Sequence, residues 1–197
     1  MINQAGLVLE GLEGAKIVRV TGREAMNELG GFLVDVLAPD ADLDPASLID
    51  RGAILALAGA AGELTEHHLF VLGAAHQGHF RGEARARLTL APLAARLSLR
   101  VTHAVFQEKT TQEIVHELLE RAGLPARLVK WRLAGQYAKR AYSVQYGESD
   151  WAFLARLLAE EGINTWFDRQ GDDSFLVFGD HPSSHDSIEG DSPLVPF

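Results

Sequence analysis

Up to about residue 105 the apolar positions come in short aliphatic or β-branched runs, each cut off by turn residues. Lys16–Val20 (KIVRV), ended by Thr21-Gly22, and Phe32–Val36 (FLVDV) read as strands. Between Asp42 and Gly52 the punctuation is that of a short helix, with Asp44 as N-cap, Pro45 at the first helical position and Gly52 just past the end. Ala53–Leu57 gives an apolar strand, a turn follows over Gly59–Gly62, and Leu69–Ala75 and Ala84–Leu90 read as two more strands around Gly78–Gly82. Many short strands with frequent turn signals predict a small barrel or sandwich.

Beyond residue 105 the period changes. Thr110-x-x-Glu113 is a capping box, in which hydroxyl and carboxylate each satisfy a backbone amide, and Ile114, Val115, Leu118, Leu119 and Ala122 make one helical face stopped by Gly123-Leu124-Pro125. A basic extended connection runs from Arg127 to Arg140. Arg140–Tyr146 then alternates Tyr142, Val144 and Tyr146 with Ser143 and Gln145, the pattern of a half-buried strand. Ser149 is a natural N-cap and Asp150 suits the positive helix end. Trp151, Leu154, Leu157 and Leu158 follow at helical spacing, with Arg156, Glu160 and Glu161 turned away. Gly162 closes the helix, Ile163 is placed to fold back on Leu158, and 164–167 with 174–178 read as a hairpin around Gln170–Asp173. From Asp180 the chain is acidic, rich in Ser and Pro, and without periodicity.

The 197 residues suit one domain or two small ones, and 47% hydrophobic with 23% charged residues is a globular composition. A net charge of −9 leaves no basic field for phosphates, so nucleic acid is not an expected partner. Without cysteine there is neither a disulfide framework nor a thiolate metal site. The first 16 residues lack the basic and apolar regions of a signal peptide, and no apolar run approaches the roughly 20 residues that span a bilayer.

Candidate chemistry is thin. His67-His68 and His76-x-x-His79 lie on or near one hairpin, but strand residues three apart face opposite ways unless a bulge intervenes, and no carboxylate completes a tetrahedral set. His116-Glu117 starts an H-E-x-x-H pattern that Glu120 breaks, so His116 is an exposed helix position. Ser98, Ser143 and Ser149 lack the glycine frame of a nucleophile elbow, and no phosphate-binding loop follows a strand. Glu160-Glu161 reads as a solvated helix end. No catalytic, cofactor or metal site is expected. Gln145 and Glu148 have no local account and are expected to hydrogen-bond across a domain or subunit junction.

The run VQYGESDWAFLARLLAEEGINTWF, with Gln145, Tyr146, Glu148, Ser149, Asp150, Phe153, Arg156, Leu157, Glu161, Gly162 and Ile163, resembles the hallmark segment of the VgrG family of type VI secretion spike proteins, whose N-terminal half is similar to phage baseplate hub proteins. A second block, Leu90, Pro92, Leu93, Leu97, Arg100, Phe106 and Gln107, resembles the family pattern too, although an aromatic usually found after the proline is replaced by small aliphatics here. The resemblance implies an α+β, mostly β, phage-hub-like fold: small β-barrels with two amphipathic helices inserted. It implies a β-barrel hub subdomain over 1–105, a helix-strand-helix-hairpin hub subdomain over 106–180, and a tail or the start of a further region over 181–197. Family function is structural: a homotrimer in the full-length protein that adapts the hexameric Hcp tube to a C-terminal spike, for puncture and delivery of effector or adaptor proteins. Such a protein is made in the cytoplasm and secreted by the type VI machine without a signal peptide. Phe106, Gln107, Gln145, Tyr146, Glu148, Ser149, Asp150, Arg156, Glu161 and Gly162 are then structural or interface residues. A contractile phage tail hub shares the fold, and a hydrolase is the enzymatic alternative.

Overall fold

The computed structural model describes residues 5–59, 64–170 and 173–185. The expected tail beyond 185, residues 60–62 of the 59–62 turn and residues 171–172 of the 170–173 turn lie outside the described residues.

Strands β1 (Ala5–Leu9), β2 (Lys16–Arg23), β3 (Gly31–Ala38), β4 (Gly52–Ala58), β5 (Leu64–Phe80) and β6 (Glu83–Ala91) form one antiparallel sheet in the order β1-β4-β5-β6-β3-β2. The sheet curls until its end strands β1 and β2 approach each other without pairing. Its concave side is filled by Leu9, Val34, Val36, Leu55, Val71, Ala84, Ala86, Leu88 and Leu90. Alternation on β3 and β6 puts these side chains inward, and small Ala84 and Ala86 make room for Val and Leu opposite.

Some expectations shift. The segment after Asp44 is a single 3₁₀ turn, Pro45–Leu48, capped by the Asp44 carboxylate accepting from Ala46 N at 3.0 Å. It ends at Ile49, and Asp50 takes the left-handed conformation (φ 68°), so Gly52 opens β4 instead of capping a helix. Asp50 N donates to Val71 O at 2.8 Å, which ties the chain to the barrel wall before the helix can continue. Strand β5 runs well past Ala75, with bulges between Val71 and Gly73 and between His76 and His79 that bend it around the barrel. Strand β1 was not expected at all: its alternating Leu7 and Leu9 are too few to register as a period.

A 3₁₀ turn, Leu93–Ser98, leads from the barrel into a second core. Here β7 (Val101–Lys109) pairs with β9 (Arg140–Ser149), and α1 (Thr111–Arg121) and α2 (Asp150–Glu161) pack on one face of that ribbon. The third sheet, β10-β11-β8, joins β10 (Asn164–Gln170) and β11 (Asp173–Gly179) antiparallel and adds β8 (Val129–Arg132) in parallel. The basic connection therefore holds a strand. Both helices close as their sequence indicates: Thr110 and Glu113 exchange their capping bonds, Gly162 is left-handed (φ 71°), and Ile163 N donates to Leu158 O at 2.9 Å.

Candidate functional site

The residues singled out by the sequence converge where β9 turns into α2. The strand alternates as expected, but with opposite polarity: Ser143 and Gln145 are buried, whereas Tyr142, Val144 and Tyr146 face outward. Buried Gln145 is used as a donor. Its Nε2 gives hydrogen bonds to Glu148 O (3.1 Å) and to the Asp150 carboxylate (2.9 Å), which is itself buried. Asp150 thus does more than meet the helix dipole; its N also donates to Arg100 O at 3.1 Å, and the Arg100 guanidinium lies 3.9 Å from its carboxylate.

Gly147 makes the next step possible. With φ at 61° it forms the bulge between the Thr102–Glu148 and His103–Tyr146 pairs, and this turns Glu148 toward the helix. There Arg156 Nη2 donates to Glu148 at 2.7 Å and to Val144 O at 3.0 Å. Ser149 accepts from Ala152 N at 3.1 Å. Gln145 and Glu148 therefore fasten a strand to the helix that follows it within one chain.

The far end of the same helix is fastened too. Glu160 is exposed and Glu161 half-buried, as a solvated helix end requires, but both are also paired. They bracket Arg140 at the start of β9, at 2.5 and 2.6 Å, and Thr111 Oγ1 donates to Glu161 at 3.1 Å. Arg140 holds the Glu160 carboxyl below the usual carboxylate range, and the two glutamates push the Arg140 guanidinium up. Phe106 lies beneath the frame, stacked on Phe153 with centroids 5.5 Å apart. Gln107 and Tyr146 stand outside it, exposed on the other face of the ribbon.

Behind this lies a second lock that was not legible. Asp180 accepts from Ala134 N, Gly135 N and Tyr137 Oη at 2.7–2.9 Å. Two amides and a hydroxyl hold its pKa down at about 2, while burial and the adjacent carboxylate push the Tyr137 phenol up to about 12. Forty-three residues separate the partners, too far for any sequence spacing to reveal.

The histidines are distributed otherwise than the spacing rule implies. The bulge between His76 and His79 brings their rings to 4.9 Å, but His79 Nε2 bonds with Ala41 O and His76 Nδ1 accepts from Gly78 N. His67 is buried against Phe32, 3.5 Å from Glu24, and His116 is exposed beside Glu120. Among the described residues no three His, Cys, Asp or Glu side chains are placed to hold a metal ion.

A polar frame that joins strand to helix, built of caps and ion pairs, is suited to stiffness. Comparison with known proteins places it. Residues 23–196 match the phage tail baseplate hub family. The chain is 35% identical over 175 residues to the type VI secretion system spike protein VgrG4b of Pseudomonas aeruginosa, covering 88% of this chain and 21% of that protein. It is 31% identical over 179 residues to VgrG5 of the same organism, covering 88% of this chain and 22% of that one. Among solved structures it resembles the E. coli c3393 protein, a component of the type VI secretion system with structural similarity to the T4 bacteriophage tail proteins gp27 and gp5. The TM-score is 0.81 at 27% identity, over 90% of this chain and 50% of that one. The chain thus spans about a fifth of the length of these curated relatives. It belongs to the phage tail baseplate hub family and is a homologue of the VgrG spike proteins of type VI secretion systems.

Proposed function

We propose that the chain is the hub part of a type VI secretion spike, a structural adaptor between a hexameric Hcp-like tube and a C-terminal spike that delivers effector or adaptor proteins. The likeness to the c3393 protein carries this reading, because it extends over nearly the whole chain and both cores. Three copies associate in the full-length protein, and their barrels present a ring to the tube. The chain is made in the cytoplasm and leaves through the machine it tips. Its two main hydrophobic cores support two hub subdomains, 1–105 and 106–180, with Ala94 and Leu97 reaching from the end of the first into the core of α1 and α2.

We assign it no catalysis. A hydrolase needs perturbed titratable groups gathered in a concave pocket. A cavity of about 520 Å³ beside the barrel rim is lined by Leu29, Phe32, Leu33, Leu72 and Leu90, and its charged lining, Arg23 and Glu28, is spent in one bidentate pair.

Sedimentation of the chain with preformed hexameric tube protein tests the adaptor reading. Co-migration with tube ends supports it, and no association at tens of micromolar would sink it. The match to the baseplate hub family favours a phage tail hub as the second reading. Binding to a contractile phage tube but not to an Hcp ring would select that one.

A further inference from the structure

The barrel sheet curls without closing, and the two strands at its seam each keep a free edge. Strands β1 and β2 stand at opposite ends of the sheet order, and among the described residues neither pairs with a strand on its other side. They are joined through the turn at 10–15, where Leu12 N donates to Leu9 O at 3.1 Å and Ala15 N to Leu12 O at 3.3 Å. A cleft of about 510 Å³ lies between them, with Ala5, Leu57 and Ala58 on one wall and Ile17, Arg19 and Val20 on the other. Ile17, Val20 and Leu57 pack against the barrel core yet are only half-buried, so the core meets solvent along the seam.

The chemistry of the cleft selects its occupant. A free strand edge presents alternating N–H and C=O groups. Phosphates would answer only the N–H groups, whereas an extended polypeptide answers both kinds. Side chains then decide which polypeptide. Strand β2 carries Lys16, Arg19 and Arg23 and no carboxylate, so two β2 edges brought together would set cations against cations. Arg19, Asp35 and Arg87 occupy one cross-strand row on the outside of the barrel. The Asp35 carboxylate there is held by Arg87 through both oxygens, with Arg85 at 3.6 Å. Arg19 is left exposed, with no carboxylate in ion-pair distance among the described residues. In a chain of net charge −9 this is a local surplus of positive charge beside a free edge. Cations on an edge strand keep like edges away and leave an acidic strand free to add.

We infer that the seam between β1 and β2 binds an extended acidic peptide segment of a partner protein by strand addition to β2. Apolar side chains at alternate positions of that segment close over Ile17 and Val20, and a carboxylate between them pairs with Arg19. Such a partner lies outside the hub reading, which calls only for a tube, a spike and further copies.

Fluorescence anisotropy with dye-labelled peptides tests this. The probe is the heptapeptide TVEVEVT, compared with TVKVKVT and with a TVEVEVT whose alternate amides are N-methylated. The expected result is binding of the Glu peptide in the tens of micromolar, weakened at least tenfold in the Lys peptide and lost on N-methylation. Arg19→Glu should invert the preference, and its gain of the Lys peptide shows at the same time that the variant is folded. Hydrogen exchange should slow at β2 amides when the Glu peptide is added. Equal binding of the two charge forms, or binding that survives N-methylation, overturns strand addition at this seam. So does the absence of binding at millimolar peptide. Protection of β2 that rises with chain concentration alone gives the seam to a second copy and overturns the inference too. Tube binding is read separately, so loss of this site leaves the adaptor reading standing.

Discussion

Gln145 is the residue on which the β9–α2 corner turns. It is fully buried, and its amide reaches both a backbone carbonyl and the Asp150 carboxylate. A buried carboxylate deprived of a donor keeps its desolvation cost without the compensating bond. Gln145→Ala should therefore lower stability by about 1–3 kcal/mol in urea unfolding, and Gln145→Glu should do worse by setting a second carboxylate beside Asp150. An unchanged urea midpoint for Gln145→Ala would remove the bond from the account. Asp180 gives a prediction in pH. Its pKa is lowered from 3.8 to about 2, so the stability it contributes is complete above its ordinary value and is lost as pH falls through about 2. The Tyr137 phenol is raised from 10.0 to about 12, so the contribution of its neutral form is present below 10 and is lost as pH rises through about 12. In Asp180→Asn the neutral amide keeps the hydroxyl as a partner but not the charge. Phenolate absorbance should then show Tyr137 titrating below its wild-type position, and a titration that stays at about 12 would assign its shift to burial and the Glu161 charge without Asp180.

At the scale of elements, what the sequence made legible was local. The capping box at Thr110, the Ser149 cap and the Gly162 stop each lie within a few residues of their partners, and all three stand where the spacing put them. What it hid was direction. The β9 alternation predicts the strand, but burial there is decided by α2, which offers Asp150 and the Ser149 turn to Gln145, while the aromatics are left to the outside. Nor could the polar labels of Gln145 and Glu148 say whether their partners were three residues away or in another molecule. Strands β8 and β1 were too short for their periods to show. The helices themselves rest on packing more than on caps. Phe153 is fully buried against Phe106, so Phe153→Ala should cost about 3–5 kcal/mol. Loss of the Thr110 cap in Thr110→Ala should cost about 1 kcal/mol. Thermal or urea unfolding ranks the two, and the reverse order would mean that the α1–α2 core relaxes around the missing ring.

For the whole molecule the question is whether two cores behave as one. Their bridge is narrow and specific. Asn27, left-handed at φ 62°, lies against the start of β10, where its N donates to Thr165 O at 2.8 Å and its Oδ1 accepts from Thr165 N at 2.9 Å. Its Nδ2 donates to Asn164 Oδ1 at 3.0 Å. Asparagine tolerates this conformation better than most residues, so one side chain supplies both the backbone shape and the bonds. Nearby, Glu24 takes Arg169 from β10 and lies beside His67 of β5, and both neighbours lower its pKa. The three tryptophans, Trp131, Trp151 and Trp166, all belong to the second half, so their fluorescence follows the helical core while far-ultraviolet circular dichroism follows both. In the wild type the two signals should change together on unfolding, as one cooperative unit requires. Asn27→Ala combined with Arg169→Ala removes the side-chain bonds that these two residues make across the bridge, leaves the Arg96–Asp50 ion pair in place, and sets a strained residue at φ 62°. The two transitions should then separate, with the barrel and the helical core losing structure at different urea concentrations. Coincident transitions in that double variant would show that the Arg96–Asp50 ion pair and the apolar contacts around Leu29 and Leu93, which touch the helical core and the small cluster beside the barrel, are enough to couple the halves without the Asn27 and Arg169 bonds.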